Sequence, residues 1–314
     1  MKILIVDHCH DWLETQLRAE GYNCIDCTKL HADSLVQMHP DARGMLVRAR
    51  IQFPKELLKQ FPKLQFIARF GSGMEHIDVL WAEEQGIRCL SAPEGNRDAV
   101  GEHALAMLLS LFNHLPRANQ QVRNGQWDRE GNRGEELAGK TVGIIGYGHM
   151  GSAFAQKLQG LSVRILAHDK YRTGFAQNGV EEVSLSTLQS AADVISIHLP
   201  LNAETRHYLN HSFFNQLAKP VYIINTSRGN QLVLQDLWEA MEAGKVKGAC
   251  LDVLEHESAS FEALSVDPSD HYFHKMLKDE RIIFTPHIAG WTHQSQQKMA
   301  EILFQKIQTI VQNA

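Results

Sequence analysis

Gly146-Tyr147-Gly148-His149-Met150-Gly151 carries the first chemical signal in this sequence. It directly follows the apolar run Thr141-Val142-Gly143-Ile144-Ile145 and opens a helix-like stretch, and Asp169 stands eighteen residues beyond Gly151. In that setting Gly146 permits a tight turn, Gly148 lets the backbone approach a pyrophosphate, and Gly151 lets a helix pack closely on a strand. A helix that starts at His149 and Met150 offers unpaired N–H groups and about half a positive charge to phosphates. Asp169 ends the next strand-like run, Val163 to His168, where a carboxylate accepts hydrogen bonds from ribose hydroxyls and repels a 2′-phosphate. The pattern predicts a dinucleotide site that favours NAD over NADP, a preference that Lys170 and Arg172 soften. A glycine-rich turn without a ligand is the plainer reading, and this context disfavours it.

Three further clusters fall just beyond predicted strand ends, where open parallel sheets bind ligands. They are Asn225-Thr226-Ser227-Arg228-Gly229, Leu251-Asp252-Val253-Leu254-Glu255-His256-Glu257 and Thr285-Pro286-His287-Ile288-Ala289-Gly290. An arginine such as Arg228 presents a planar fork of donors that suits a carboxylate. A carboxylate bonded to an imidazole fixes its tautomer and favours the imidazolium, which then serves as an acid near neutral pH. Spacing alone does not bring Glu257 to His287, and each residue taken singly also reads as a structural or capping group. Cys24 and Cys27 form a C-x-x-C with no second pair at zinc spacing, and His8-Cys9-His10 supplies few ligands, so no metal is expected.

The elements that must position these residues follow from patterning. Strand-like runs at Lys2 to Val6, Gly44 to Val47, Leu64 to Ala68 and Ile87 to Leu90 alternate with helix-like stretches, which implies a parallel sheet covered by helices. A second series of six begins at Thr141 and continues with Val163 to Ala167, Val194 to Ile197, Tyr222 to Asn225, Gly248 to Leu251 and Ile282 to Thr285. Six strands suit a doubly wound dinucleotide domain. Between the series, Ala104, Leu105, Leu108, Leu109 and Phe112 recur at helical spacing and predict a long helix over Ala99 to Leu115. The last helix, Ser295 to Val311, is expected to return to the first domain and leave two connecting segments as a hinge. Asn119 to Glu136 reads as a helix end and surface loop.

Composition sets the outer limits. The 314 residues, 44% hydrophobic and 21% charged, suffice for two domains. A net charge of −5 without a basic stripe argues against nucleic acid as a partner. No apolar run approaches the roughly eighteen residues of a membrane span, and the apolar start, Met1 to Asp7, is short for a signal peptide. Five cysteines fit reduced thiols, so the cytoplasm is the expected location.

Ordered blocks across nearly the whole chain resemble the NAD-dependent D-2-hydroxyacid dehydrogenases, which include phosphoglycerate, glycerate, hydroxypyruvate and D-lactate enzymes. The blocks are Gly71-Ser72-Gly73-Met74-Glu75-His76-Ile77-Asp78, Asn96-Arg97-Asp98-Ala99-Val100-Gly101-Glu102-His103, Gly139 to Gly146, His198-Leu199-Pro200-Leu201, the Arg228-Gly229 pair, the Asp252 segment and Thr285-Pro286-His287. The resemblance implies an α/β fold of two doubly wound parallel-sheet domains. A Rossmann NAD-binding domain (99–289) is inserted in a flavodoxin-like substrate-binding domain (1–98 and 290–314). It implies that Arg228 binds the carboxylate and carbonyl of a small 2-oxo or 2-hydroxy acid, that His287 is the acid/base and that Glu257 orients it. It places Ser72, Gly73 and Arg48 at the substrate and His198, Pro200, Thr205, Thr226 and Asp252 at the cofactor, beside Gly146, Gly148, His149, Met150, Gly151 and Asp169. A homodimer formed through the dinucleotide domain, with the Ala99 to Leu115 helix in the contact, is also implied.

Two departures bear on substrate. The family usually has proline after its glutamate, whereas Ser258 opens a longer segment through Asp270-His271-Tyr272-Phe273-His274, read as an elaborated loop beside the cleft. Trp291 stands where a small residue is common, and either narrows the cleft or packs the hinge. The chain also ends near its last helix, so the regulatory domain of longer phosphoglycerate dehydrogenases is not expected. An NAD-sensing protein like the C-terminal-binding corepressors is the alternative from another class. A formate dehydrogenase fits less well, because that family places glutamine where Glu257 stands.

Overall fold

Short runs of aliphatic residues, bounded by turn residues, form parallel strands in two separate sheets. The computed structural model describes residues 1–258, 264–267 and 269–312. They divide into one unit of Met1–Arg97 with the segment from Trp291 onward, and another of Asp98–Ser258 with the described residues up to Gly290.

In the first unit, β1 (Lys2–Ile5), β2 (Asn23–Asp26), β3 (Gly44–Val47), β4 (Phe66–Arg69) and β5 (Arg88–Leu90) form a parallel sheet in the order β2-β1-β3-β4-β5. That order is flavodoxin-like. Successive side chains point to opposite faces. Leu4, Met45, Val47 and Ile67 thus enter one buried cluster while Ile3, Ile5, Leu46, Phe66 and Ala68 enter another. The helix His293–Gln312 closes the second face through Met299, Ala300, Leu303 and Ile307, and Lys306 Nζ bonds the Ser91 carbonyl and Glu94. Strand β2 was not among the expected strands. Asn23 and Asp26 at its ends are polar and exposed, so its pattern is too short to register, and pairing with β1 forms it. It carries buried Cys24, and Cys27 follows; both are free thiols pushed upward in pKa by burial, Cys27 to about 11.

In the second unit, β6 (Thr141–Ile145), β7 (Arg164–His168), β8 (Val180–Glu182), β9 (Val194–Ile197), β10 (Val221–Asn225), β11 (Val246–Leu251) and β12 (Ile282–Phe284) are again all parallel. Their order is β12-β11-β10-β9-β6-β7-β8, which reverses direction between β9 and β6. Seven strands therefore replace the expected six. The extra one is β8, a three-residue edge strand in which only Val180 is buried and two glutamates face water. The helix Pro93–Phe112 starts well before the expected Ala99, with proline in its first turn, where its fixed φ favours a helix. Among the segments read as a loop, Asp270 caps a short helix, His271–Met276, while residues 259–263 and 268 of the same stretch lie outside the described residues.

Candidate active site

Parallel pairing aligns the strand ends of the second unit. Ile145 lies opposite Ile197 and His168, Asn225 opposite Ile197 and Leu251, and Leu251 opposite Phe284. The segments that follow, which hold Gly146, Asp169, His198, Arg228, Glu257 and His287, therefore share the carboxyl edge of one sheet. That is where a doubly wound sheet takes its ligand.

The glycine-rich turn has the shape a pyrophosphate requires. Gly146 adopts a left-handed φ of 91°, and a Cβ there would meet the His198 carbonyl oxygen at 2.5 Å. A Cβ on Gly151 would lie 2.0 Å from the Gly146 oxygen, whereas one on Gly148 would meet nothing within 4 Å. Gly148 is the N-cap of the helix His149–Leu158, and no side chain caps it. The helix thus begins with exposed His149 and half-buried Met150, and no side chain satisfies its first N–H groups.

Asp169 accepts from the N–H groups of Tyr147 at 2.8 Å, Tyr171 at 2.9 Å and Arg172 at 3.0 Å. Burial acts to raise its pKa, and these bonds together with the Arg172 charge outweigh it and hold the carboxylate below its usual range. The neighbouring cations are engaged: Lys170 pairs with Glu204 at 2.7 Å, and Arg172 donates to the Tyr147 carbonyl.

Other expected cofactor residues divide into two kinds. Thr226 is buried just past β10 and its hydroxyl has no partner among the described residues, an orphaned group that suits a bound ligand. His198 is buried, with Nε2 2.8 Å from Ser196 Oγ and Nδ1 without a partner among the described residues, and burial lowers its pKa to about 4, so the ring is neutral. Thr205 Oγ1 donates to the Pro200 carbonyl at 2.6 Å and shapes the loop between them. Asp252 is 1% exposed and accepts from Thr285 Oγ1 at 2.5 Å, Ile288 N at 2.9 Å and Ala289 N at 2.9 Å. His103, from the helix Pro93–Phe112, lies 3.1 Å from the same threonine hydroxyl. Sequence inspection missed this His103–Thr285–Asp252 network, because no motif links residues so far apart. Gln231, also missed, is buried and bonds the carbonyls of Leu199 and Pro200.

Glu257 and His287, separated by 30 residues, meet: Nδ1 is 2.7 Å from Oε2. Both are largely buried, and Glu257 Oε1 accepts the Leu254 N–H at 2.5 Å. His287 takes a left-handed φ of 54°, held by its own N–H to the carbonyls of Asp252 at 2.8 Å and Thr285 at 3.0 Å. A non-glycine residue in this region is uncommon and is kept there only by surrounding structure. Arg228 follows β10; its Nη1 donates to the Ser227 carbonyl, and its own carbonyl accepts from Asn225 Nδ2.

In the first unit Arg48, Ser72 and Gly73 follow the adjacent strands β3 and β4. Ser72 Oγ donates to Asn96 Oδ1 at 2.7 Å. Asp7 accepts the Arg48 N–H and the Arg50 guanidinium, which leaves the Arg48 guanidinium 4.5 Å from the centroid of the Trp291 ring. Trp291 thereby has a partner within its own unit while remaining 54% exposed. Among the described residues no group of three or more His, Cys, Asp or Glu is arranged to hold a metal ion.

A parallel sheet that reverses its order beside an uncapped glycine-rich turn, with a carboxylate–imidazole pair at the same edge, is the arrangement a nicotinamide-dependent oxidoreductase uses. Residues 105–289 match the family model for the D-isomer specific 2-hydroxyacid dehydrogenase, NAD binding domain. A hydroxypyruvate reductase from Thermotoga maritima is 33% identical over 278 residues, 88% of each chain. A D-3-phosphoglycerate dehydrogenase from Archaeoglobus fulgidus is 31% identical over 309 residues, which are 98% of this chain and 56% of that one. The crystal structure of a D-lactate dehydrogenase from Aquifex aeolicus, complexed with NAD and lactic acid, superposes with a TM-score of 0.84 at 25% identity, covering 100% of this chain and 97% of that one. The chain belongs to the D-isomer specific 2-hydroxyacid dehydrogenases, oxidoreductases that act on the CH–OH group of donors with NAD.

Proposed function

We propose that this enzyme reduces a short 2-oxo acid of the hydroxypyruvate type, free or phosphorylated at its distal hydroxyl, with Glu257 and His287 as its proton-transfer pair. The carrying observation is the 2.7 Å contact between them. Arg228 polarises the C2 carbonyl and draws the substrate carboxylate; its fork geometry suits both tasks. His287, its Nδ1 bound to Glu257, gives the proton on Nε2 to the carbonyl oxygen as C2 becomes tetrahedral. Bound NADH supplies the hydride to C2. In the reverse direction His287 takes the hydroxyl proton. Glu257 balances the imidazolium charge and fixes the ring.

Gly146, Gly148, His149, Met150, Gly151 and Thr226 are the cofactor contacts this reading uses, with Asp169 at the ribose. Asp252, Pro200 and Thr205 support those contacts from behind, as their protein partners indicate, and His198 offers its unpartnered Nδ1 beside them. Ser72 and Gly73 are proposed substrate contacts on the family resemblance. Arg48 is proposed to meet the distal anionic group. No carboxylate pairs with its guanidinium among the described residues, and stacking on Trp291 keeps it ordered without neutralising it.

The test is NADH oxidation with pyruvate, glyoxylate, hydroxypyruvate, 2-oxoglutarate and 3-phosphohydroxypyruvate, run on the wild type, His287→Ala and Arg48→Ala. His287→Ala is expected to lose about 10² to 10⁴ in turnover. Arg48→Ala is expected to raise KM for the phosphorylated acid by about tenfold, roughly 1.4 kcal/mol, and for pyruvate far less. NADH binding without turnover on any acid would overturn the reading.

The enzyme is further proposed to be a cytoplasmic homodimer. The helix Leu115–Arg123 has distinct polar and apolar sides yet buries no residue, and Leu115, Val122 and the nearby Trp127 are all exposed. Light scattering should give twice the mass of one chain, and Val122→Asp should shift it toward one. No helix among the described residues is long and apolar enough to cross a membrane, and the five cysteines are free. Cell fractionation tests the location.

A further inference from the structure

His256 stands one residue before Glu257, and its imidazole is bound to the segment that follows. Nε2 lies 2.9 Å from Asp270 Oδ2, and the ring centroid is 4.9 Å from that of Phe273. Asp270 also caps the helix His271–Met276, accepting the Phe273 N–H at Oδ1 at 2.9 Å. Phe273 is buried in the same hydrophobic cluster as Leu251 and Leu254, the residues that lead into Glu257. The main chain adds two ties: Ser265 N donates to the His256 carbonyl at 2.7 Å, and Leu264 bridges Glu257 antiparallel.

His256 Nδ1 is buried and has no hydrogen-bond partner among the described residues. Placing a proton there would leave an unpaired buried donor, so the neutral ring carries its proton on Nε2 and donates it to Asp270. His256 is thus a directional link between a helix cap and the residue next to Glu257. A glutamate side chain forfeits up to about 2 kcal/mol of rotamer freedom when fixed, and catalytic groups tolerate errors of only about 0.5 Å, so such a carboxylate needs a rigid base. Ser258 follows Glu257 directly, so no proline ring stiffens the backbone there.

We infer that His256 is a positioning residue for Glu257: its bond to Asp270 and its packing on Phe273 hold Leu254–Glu257 in the conformation that aims the carboxylate at His287. The inference rests on Glu257 and His287 forming the proton-transfer pair. Three variants separate it from a plain structural role. His256→Phe keeps an aromatic ring against Phe273 and removes the bond. Asp270→Ser keeps a helix-capping oxygen and removes the oxygen that binds His256. His256→Gln restores a side-chain N–H donor.

Two readouts decide: kcat and KM with NADH and each acid named above, and hydrogen exchange of the Leu254 amide, which Glu257 Oε1 protects. His256→Phe and Asp270→Ser are each expected to lower kcat about tenfold with KM within about twofold, and the double variant to be no worse than either. Leu254 exchange should accelerate in both, while His256→Gln recovers most of the turnover and protection. Unchanged exchange, or faster exchange with unchanged kcat, or losses that multiply in the double variant would overturn the link. A wild type that reduces none of the acids would instead overturn the proposed reaction, and the exchange readout would still decide whether His256 holds Glu257.

Discussion

A carboxylate buried as fully as Asp252 keeps its charge only if donors replace its water, and here the Thr285 hydroxyl and two backbone N–H groups do so. Burial acts to raise its pKa; hydrogen bonds from His103, Thr285, Ala289 and Ile288 prevail and hold it below the usual carboxylate range. A depressed folded pKa means that the stabilisation is complete above the unfolded value, about 3.9, and is lost as pH falls through the folded one. Asp252→Asn is therefore expected to destabilise the protein by about 1–3 kcal/mol at pH 7, and by less as the pH drops below about 4. Urea unfolding at a series of pH values checks this, and an equal loss at every pH would refute it. At Glu257 the expected effect is on rate. Glu257→Gln retains an oxygen for the Leu254 N–H but no charge for the imidazolium, and kcat should fall about 10²-fold in steady-state assays with little change in melting temperature.

At the scale of elements, the strand β6, the turn and the helix His149–Leu158 act as one unit, and its glycines separate packing from binding. Gly151→Ala pushes a methyl against the Gly146 backbone oxygen, which only a shift of helix against strand relieves, at a cost of about 1–3 kcal/mol. Gly148→Ala meets no protein atom, so its melting temperature should match the wild type, yet NADH affinity should fall by about tenfold or more as the methyl occupies the pyrophosphate approach. Thermal melts paired with NADH fluorescence titrations distinguish the two. Equal affinity in Gly148→Ala and wild type would show that the phosphates lie elsewhere. The alignment of β6, β9, β10, β11 and β12 explains why the proposed catalytic and cofactor residues, spread over more than a hundred positions, meet at one edge: each follows a strand end in register with its neighbour's.

At the scale of the molecule, each unit has its own pair of hydrophobic clusters. Multidomain chains of this kind need not unfold in one step. Because the proposed cofactor contacts lie in the second unit, NADH at about 100 times its Kd should stabilise that unit by about 2.7 kcal/mol. In calorimetry the transition lowered by Gly151→Ala should be the one NADH raises; a rise confined to any other transition would place the cofactor wrongly. Periodicity and turn glycines made ten of the twelve strands among the described residues plain in the sequence, together with a dinucleotide turn and the candidates Arg228, Glu257 and His287. These signals are local, since they depend on side-chain alternation and on backbone angles only glycine tolerates. Strands such as β2 and β8 escaped notice because polar ends and short length hide them until a neighbouring strand pairs with them. The contact of Glu257 with His287, the donors around Asp252, the stacking of Arg48 on Trp291 and the tie from His256 to Asp270 were decided by tertiary structure alone. Each joins residues separated by a turn, a helix or most of the chain, and no spacing rule specifies a hydrogen bond whose length depends on how strands and helices pack.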